Sequence, residues 1–308
     1  MDRELWRLLY RAIQRAAKKV GWHGGQRAPL FSNRLIVAMY FWAAWHGRPL
    51  SWACRPSSYG GLFRPRKLPS VSQFTRRIKS EDCRRILELI HDQFARNWLP
   101  CPMVYMDGKP LLVSPVSKDR DAKRGRICGG FAKGYKLHAL VSENRRIVVW
   151  SVMGLNVDEK TVAREALLTH LPPMTSDSLI LADSHYDSAP LHKDTIEPLG
   201  LCLLNSLAGQ QHVREGGRQP RKLRQMGRSR SELVQAWEQH PDLTRFLFKH
   251  RNEIDRAFGV LCCTGGGLGT ALPPWVRTLP RVRRWVGVII IIYNARLTLQ
   301  ERLKTRAA

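Results

Sequence analysis

No stretch of this sequence is long and apolar enough to cross a membrane. The longest apolar run extends from Val286 to Tyr293, whereas a membrane-spanning helix needs about 20 such residues. We also expect no signal peptide, because Asp2 and Glu4 are acidic and no apolar segment follows them. These absences argue against a membrane or secreted protein, and we expect a cytoplasmic location.

The sequence also lacks cysteines at the spacing of metal ligands. Its seven cysteines form no Cys-x-x-Cys pair, and their number is odd. Zinc fingers and disulfide-stapled folds both need regular pairs of cysteines. We therefore expect free thiols, as in proteins of the reducing cytosol.

Acidic side chains are scarce. The chain has 25 Asp and Glu against 51 Lys and Arg, a formal net charge of +26 that favours a polyanionic partner. The charge is +13 over residues 1–100, +1 over 101–205 and +12 over 206–308. This pattern suits a protein that holds DNA with its flanks and keeps carboxylates between them. A neutral core region with solvated basic surroundings would give the same distribution.

The first hundred residues have the pattern of an all-α domain. Apolar residues recur with helical spacing over 5–13, and further helices are predicted at 35–45 and 81–98. Ser70 fits the N-cap position of a helix over 71–78. That helix has the polar side chains of a helix-turn-helix recognition helix, namely Gln73, Arg76 and Arg77. An ordinary amphipathic helix with a basic solvent face is the alternative.

After residue 102 the pattern changes to strands that alternate with helices. The predicted strands are 103–106, 135–141, 147–153, 179–182 and 200–204. Three antiparallel strands followed by right-handed crossovers give an α/β fold, a mixed five-stranded sheet flanked by helices. We therefore predict two domains, a helical DNA-binding domain over 1–100 and an α/β domain over 101–308.

Two aspartates lie on strands of the predicted sheet. Asp107 is on the first strand and Asp183 ends the fourth. If these strands are neighbours, the two carboxylates meet at one edge of the sheet and repel each other unless a cation lies between them. Oxygen ligands suit Mg²⁺ or Mn²⁺. A third acid on the last core helix would complete a site for two ions that assist phosphodiester chemistry.

Several motifs of the second domain resemble those of the insertion-sequence DDE transposases. The matching segments are 105–108, 134–138, 181–188 and 251–261, and the run 265–286 is similar to that of one bacterial subgroup. The resemblance covers about residues 100–300. It implies an RNase H-like catalytic core of the kind found in retroviral integrases.

The resemblance also assigns the third acid. Members of the family carry Tyr-x2-Arg-x3-Glu-x6-Lys on the last core helix, and here Arg251 matches the arginine and Asp255 stands at the glutamate position. Phe248 and Cys262 replace the tyrosine and the lysine. Glu253 is the alternative third acid, but it lies roughly 200° around a helix from Asp255. The implied catalytic and metal-binding residues are Asp107, Asp183 and Asp255.

The resemblance implies a bacterial transposase of a mobile element. Such a protein binds terminal inverted repeats in double-stranded DNA, cleaves the element ends with two Mg²⁺ (or Mn²⁺) ions, and joins the freed 3′-hydroxyl to target DNA. It works as a homo-oligomer on paired ends and is nucleoid-associated when bound to DNA. Two alternatives stay open: a metal-dependent nuclease without strand transfer, and a non-catalytic DNA-binding protein derived from a transposase.

Basic side chains around the proposed site are predicted to contact DNA phosphates. Many lie in two loop-like stretches, residues 114–133 and a basic insertion at about 206–242. Others alternate with tryptophans near the C-terminus, a pattern that suits DNA ends, although core packing of the tryptophans is the alternative. The predicted contacts are Lys118, Arg124, Arg126, Lys136, Arg221, Lys222, Arg251, Arg283 and Arg284.

Overall fold

The computed structural model describes residues 2–21, 29–95, 102–171, 178–205, 228–265, 267–269 and 271–307. The chain forms two compact units, one made of Met1–Asn97 with Val260–Ala308 and one made of Trp98–Gly259. Residues 260–308, which we expected in the α/β domain, belong to the helical unit, because their long helix packs against the N-terminal helices.

The first unit is helical. Its helices are α1 (Arg3–Val20), α2 (Asn33–Trp45), α3 (Leu50–Ala53), α4 (Val71–Arg77), α5 (Glu81–Ala95) and, in chain order after those of the second unit, α11 (Leu279–Ala307). Asp2 caps α1 by accepting a hydrogen bond from the backbone N–H of Glu4. Ser70 caps α4 as predicted, and it forms a capping box with Gln73 that fixes the start of the helix.

The apolar run near the C-terminus lies in the middle of α11. Its residues 288–292 are at most 2 % exposed, and the helix packs against α1, α2 and α5. The run is therefore apolar because it forms part of the core of the helical unit. In the part of the chain that the structure describes, no helix has the length and apolar character needed to cross a membrane.

The second unit is built on a mixed sheet. Its strands are β1 (Met103–Leu112), β2 (Lys123–Ile127), β3 (Gly130–Ser142), β4 (Ile147–Gly154), β5 (Leu179–Leu181) and β6 (Cys202–Leu204). The order is β2-β3-β1-β5-β6, with β4 also paired with β3. Strand β3 is antiparallel to its neighbours, whereas β1, β5 and β6 are parallel. Because β2 and β4 share one edge of β3, the sheet is five strands wide, as predicted for an RNase H-like fold.

The sixth strand, β2, comes from the basic stretch 114–133 that we expected to be a loop. It pairs with the first residues of β3, so this stretch forms a hairpin. Arg124 and Arg126 are exposed, and Gly125 between them is buried. A Cβ at Gly125 would lie 2.3 Å from the carbonyl oxygen of Leu155. The glycine therefore allows β2 to lie close to the end of β4.

The second unit also contains five helices within the described residues. They are α6 (Glu159–Val162), α7 (Ala189–Leu191), α8 (Arg228–Gln239), α9 (Pro241–His250) and α10 (Asn252–Cys263). Irregular helical turns continue α6 to His170 and α7 to Ile196. Buried side chains of β1, β5 and β6 form a core with those that follow α6. This core holds the strands on which the two predicted acids lie.

Candidate active site

Asp107 and Asp183 are brought together by the parallel pairing of β1 with β5. Tyr105 of β1 is opposite Leu181, the last residue of β5. Asp107 and Asp183 each follow that pair by two residues, so they lie at the same level on adjacent chain segments. Asp107 lies within β1 and Asp183 just beyond the end of β5, so the parallel pairing places the two carboxylates side by side where β5 ends.

Asp107 is largely buried, with 15 % of its side chain exposed. Its Oδ1 accepts a hydrogen bond of 2.7 Å from the backbone N–H of Gly108. Burial raises the pKa of Asp107 to about 6. The Gly108 N–H and the charge of Arg251 act against this rise, while the negative charges of Asp183 and Glu159 add to it. Asp107 therefore shares its surroundings with two other carboxylates.

Asp183 caps the single helical turn that follows β5. Its Oδ1 accepts a hydrogen bond of 2.9 Å from the backbone N–H of His185, and its Oδ2 lies 2.9 Å from Nδ1 of the same histidine. The imidazole is 75 % exposed and the Asp183 side chain 25 % exposed. His185 thus orients one oxygen of Asp183 at the surface of the site.

Glu159, in the first turn of α6, is the acid that the sequence reasoning missed. One ligand atom from each of Glu159, Asp183 and His185 lies within 4.8 Å of the others, a grouping that could hold a metal ion. An acid at the start of a helix is ordinary, because it interacts favourably with the helix dipole, and Asp158 beside it is the N-cap. Glu159 differs from an ordinary helix-start acid only because the fold places the start of α6 close to β1.

Lys136 of β3 forms an ion pair with Glu159. Its side chain passes over Gly108, where a Cβ would lie 2.9 Å from Cδ of Lys136 and 3.4 Å from Oε1 of Glu159. The glycine after Asp107 therefore leaves room for the lysine to reach its partner. Lys136, which we expected to neutralise phosphate, here neutralises a carboxylate.

Two buried oxygen atoms in this group have no hydrogen-bond partner among the described residues, namely Oε2 of Glu159 and the hydroxyl of Tyr186. Tyr186 is fully buried. Burial and the charges of Glu159, Asp107 and Asp183 raise the pKa of Tyr186, which places its hydroxyl among the acids. An unpaired carboxylate oxygen beside two further carboxylates is the donor set that Mg²⁺ and Mn²⁺ prefer. The residues present fit a divalent cation.

The two candidates for the third acid differ in their partners. Nη2 of Arg251 lies 3.9 Å from Oδ2 of Asp107 and 3.9 Å from Oδ2 of Asp255. Both distances are beyond hydrogen-bond range, so these are contacts between charges. Glu253, by contrast, forms ion pairs with Arg145 and Arg256. Asp255 therefore shares a cation with Asp107, whereas two other arginines hold Glu253.

Some of the predicted DNA-contacting side chains are exposed, and others form hydrogen bonds within the protein. The exposed ones are Arg76, Lys118, Arg124, Arg126 and Arg283. Gln73 is used in the capping box of α4, and Arg77 donates hydrogen bonds to the carbonyl of Phe31 and to Asn33, which ties α4 to the start of α2. Arg284 is half-buried. Arg221 and Lys222 lie outside the described residues.

Arg230, in the predicted basic insertion, has a structural role. Its buried guanidinium lies 3.1 Å from Oδ1 of Asp187 and 3.0 Å from the carbonyl oxygen of Asn205. It also stacks on Trp237, with 4.7 Å between the guanidinium carbon and the ring centroid. Helix α8 is thereby tied to the segments that follow β5 and β6. This part of the insertion therefore packs into the second unit through the buried side chain of Arg230.

Comparison with known families identifies the family of the chain through the second unit and part of the C-terminal segment. The family described as "Transposase DDE domain" matches residues 103–295. The chain belongs to the DDE transposases. The match begins with β1 of this transposase and includes all the acids described above. A comparison with curated proteins gave no match.

One solved structure supports the fold of the transposase. A cryo-EM structure of the piggyBac transposase synaptic complex with hairpin DNA is 11 % identical to this chain, with a TM-score of 0.52, and the alignment covers 99 % of this chain and 74 % of that one. A crystal structure of a pre-cleavage Mos1 transpososome is 14 % identical, with coverage of 80 % and 82 % and a TM-score of 0.22. At this identity, the first likeness supports the RNase H-like fold alone.

Proposed function

We propose that this transposase cuts DNA at the ends of an insertion sequence and joins the freed 3′-hydroxyl to target DNA, with Asp107, Asp183 and Asp255 as catalytic acids. The observation that carries the proposal is the parallel register of β1 and β5. This register puts Asp107 and Asp183 at the same level on adjacent chain segments, and membership of the DDE transposase family supports phosphodiester chemistry at these acids.

The proposed cofactor is Mg²⁺ or Mn²⁺, as two ions. When bound, such ions activate a water or 3′-hydroxyl nucleophile and stabilise the leaving oxygen of the phosphodiester. Asp107 and Asp183 would hold the ions through their carboxylates, and Asp255 would supply a third carboxylate from α10. Glu159 has an unpaired buried oxygen beside this group, and it adds negative charge that favours cation binding.

Arg251 has two roles in the proposal. Its guanidinium lies between Asp107 and Asp255 and offsets their charges in the absence of another cation. With a cation on those carboxylates, the same guanidinium would donate hydrogen bonds to phosphate oxygens beside the reacting bond. Lys136 stays paired with Glu159 and keeps that carboxylate in place.

The proposed partners are double-stranded DNA, both at terminal inverted repeats and at the target, and further copies of the transposase on paired ends. The net charge of +26 and the exposed basic side chains of β2 support DNA binding. The piggyBac structure is a synaptic complex with hairpin DNA, which is consistent with assembly on DNA ends. We place the protein in the bacterial cytoplasm, on the nucleoid.

Cleavage assays on catalytic variants test the first step. With a labelled duplex that carries the DNA flanking the coding sequence, wild-type protein is expected to cut in Mg²⁺ but not in EDTA. The variants Asp107→Asn, Asp183→Asn and Asp255→Asn should fall to background. The matched control Asp242→Asn removes a carboxylate that is 93 % exposed and should cut normally.

The same cleavage assay shows whether Asp255 or Glu253 is the third catalytic acid. If Glu253→Gln loses cleavage and Asp255→Asn keeps it, the assignment of Asp255 is wrong. Because Glu253 is held by Arg145 and Arg256, its variant must first be shown to melt at the wild-type temperature.

A strand-transfer assay with pre-cleaved ends distinguishes the proposed function from its rivals. Joined products are expected from wild-type protein. Cleavage without joining would indicate a nuclease, and binding without cleavage would indicate a non-catalytic DNA-binding protein.

A further inference from the structure

The first turn of α10 is tied to the turn between β3 and β4. Arg145 of that turn forms an ion pair with Oε2 of Glu253, and the other oxygen of Glu253 is paired with Arg256 of the same helix. The Glu253 side chain is 16 % exposed, and that of Arg145 is 46 % exposed. Arg145 and Glu253 are 108 positions apart in the sequence, so their contact joins two elements that only the fold brings together.

The backbone of Arg145 has a conformation that is unusual for an arginine. Its φ is 62°, in the left-handed region, at the last position of the three-residue loop 143–145. The backbone N–H of Arg145 donates to the carbonyl of Ser142 (2.8 Å), and that of Ser142 donates to the carbonyl of Arg146 (2.9 Å). Glycine is the usual residue at this position of such a loop, because a Cβ makes the left-handed conformation costly. An arginine kept there points to a use for its side chain.

The two elements that this ion pair joins carry different parts of the proposed active site. Strand β3 pairs with β1, which contains Asp107, whereas α10 carries Asp255. Glu253 and Asp255 lie roughly 200° apart around the helix, so Arg145 holds α10 from the side that faces away from Asp255. Nη2 of Arg251 lies 3.9 Å from Oδ2 of each of the two aspartates. Contacts on two sides of α10 therefore fix its rotation about its own axis.

We propose that Arg145 and Glu253 are positioning residues, and that their ion pair sets the position of Asp255 relative to Asp107. Aspartate is one methylene shorter than the glutamate that other members of the family carry here, so its carboxylate reaches less far from the helix. A displacement of about 1 Å can lower a reaction rate roughly a hundredfold. The inference rests on the proposed catalytic role of Asp255, and it gives Glu253 a role other than that of the third acid.

Hydrogen exchange of the full chain tests the ion pair without DNA or metal. Arg145→Asn removes the guanidinium and places at this position a residue that tolerates the left-handed region. The first turn of α10 should then exchange about fivefold faster, while β1 peptides should exchange as in the wild type. The matched control is Arg256→Gln, which takes the other partner from the same carboxylate but breaks a contact within the helix. It should change exchange of α10 less than about twofold.

Either of two results would overturn the link between α10 and the turn. One is equal exchange of α10 in wild-type protein and Arg145→Asn. The other is an equally large effect of Arg256→Gln, because that arginine does not connect the helix to the sheet.

Cleavage kinetics test whether the ion pair positions Asp255. Arg145→Asn and Glu253→Gln should each lower kcat about tenfold and leave KM for the duplex unchanged. The Mn²⁺ concentration that gives half the maximal rate should rise about tenfold, whereas a loss of folded protein alone would lower kcat without moving it. The double variant should be no slower than the slower single variant, because both substitutions remove one interaction. Arg256→Gln should cleave within about twofold of the wild type.

The outcomes separate this inference from the proposed function. If kcat and the Mn²⁺ requirement of Arg145→Asn match those of the wild type, the positioning role is wrong. If Glu253→Gln falls to background while Arg145→Asn cleaves normally, Glu253 is a catalytic acid and the positioning role is again wrong. If Asp255→Asn cleaves normally, the proposed third acid fails, whereas the exchange experiment still decides whether Arg145 holds α10.

Discussion

Replacing Asp107 by asparagine is expected to stabilise the metal-free second unit at pH 8. Burial raises the pKa of Asp107 from 3.8 to about 6, so the folded state binds this proton more tightly than the unfolded chain does. As the pH rises between these two pKa values, Asp107 ionises first in the unfolded state, and the free energy of unfolding decreases. This decrease reaches its full size above about pH 6 and is absent below about pH 4.

The magnitude follows from the size of the shift. A rise of about 2 pKa units, at about 1.4 kcal/mol for each unit, corresponds to ~3 kcal/mol. Asparagine has a similar shape, and its oxygen can still accept the hydrogen bond from Gly108, but it carries no charge. The gain in the free energy of unfolding for Asp107→Asn should therefore be close to zero at pH 4 and ~3 kcal/mol at pH 8.

Hydrogen exchange of β1 peptides measures the opening free energy of this unit without requiring the whole chain to unfold in one step. The comparison is made in EDTA at both pH values, with Asp242→Asn as the control at an exposed carboxylate. The reasoning would be refuted if the opening free energies of wild type and Asp107→Asn differed by the same amount at pH 4 and pH 8. It would also be refuted if the wild type were more stable than Asp107→Asn at pH 8. Addition of Mg²⁺ at pH 8 should stabilise the wild type and leave Asp107→Asn unchanged.

Three further substitutions test the structure around the site. Gly108→Ala places a methyl group 2.9 Å from Cδ of Lys136, and we expect a loss of ~1–3 kcal/mol from overpacking, measured by urea unfolding, together with slower cleavage. Arg230→Met removes the buried ion pair between Arg230 and Asp187, and the second unit should lose ~3–5 kcal/mol in hydrogen exchange of the β5 peptides. Ser70→Ala removes the cap of α4, and its thermal unfolding should show a loss of ~1 kcal/mol, which Ser70→Asp should avoid.

Much of the catalytic unit follows from local patterns in the sequence. The alternating residues of β3 and the β-branched run of β4 predict strands. Whether β1 and β5 are neighbours stayed open, and the structure supplies that pairing, which brings Asp107 and Asp183 to the same level. The capping function of Ser70 was equally local, since it depends on the three residues that follow.

Other features depend on contacts between segments far apart in the chain. Glu159 resembles any acid at the start of a helix until the fold brings it to Lys136 and Asp183. Arg230 has the sequence surroundings of a solvated loop, and only its burial against Asp187 reveals an anchor. The basic residues of β2 did not predict a strand. Arg124 and Arg126 are exposed and Gly125 between them is buried, but a glycine between two arginines does not show the apolar–polar alternation that is typical of a strand.

The helical unit combines an N-terminal and a C-terminal segment of the chain. This arrangement determines the order in which the two units can fold during synthesis. Helix α11 supplies core residues to α1, α2 and α5, yet it is translated only after Trp98–Gly259. At about 5–20 residues per second, the ribosome needs roughly 8–32 s for that intervening segment. The α/β unit, being contiguous, can complete its sheet in this time, whereas the N-terminal helices keep an apolar surface uncovered until translation reaches α11. Nascent chains are therefore most exposed to chaperones and to aggregation while the catalytic unit is being made.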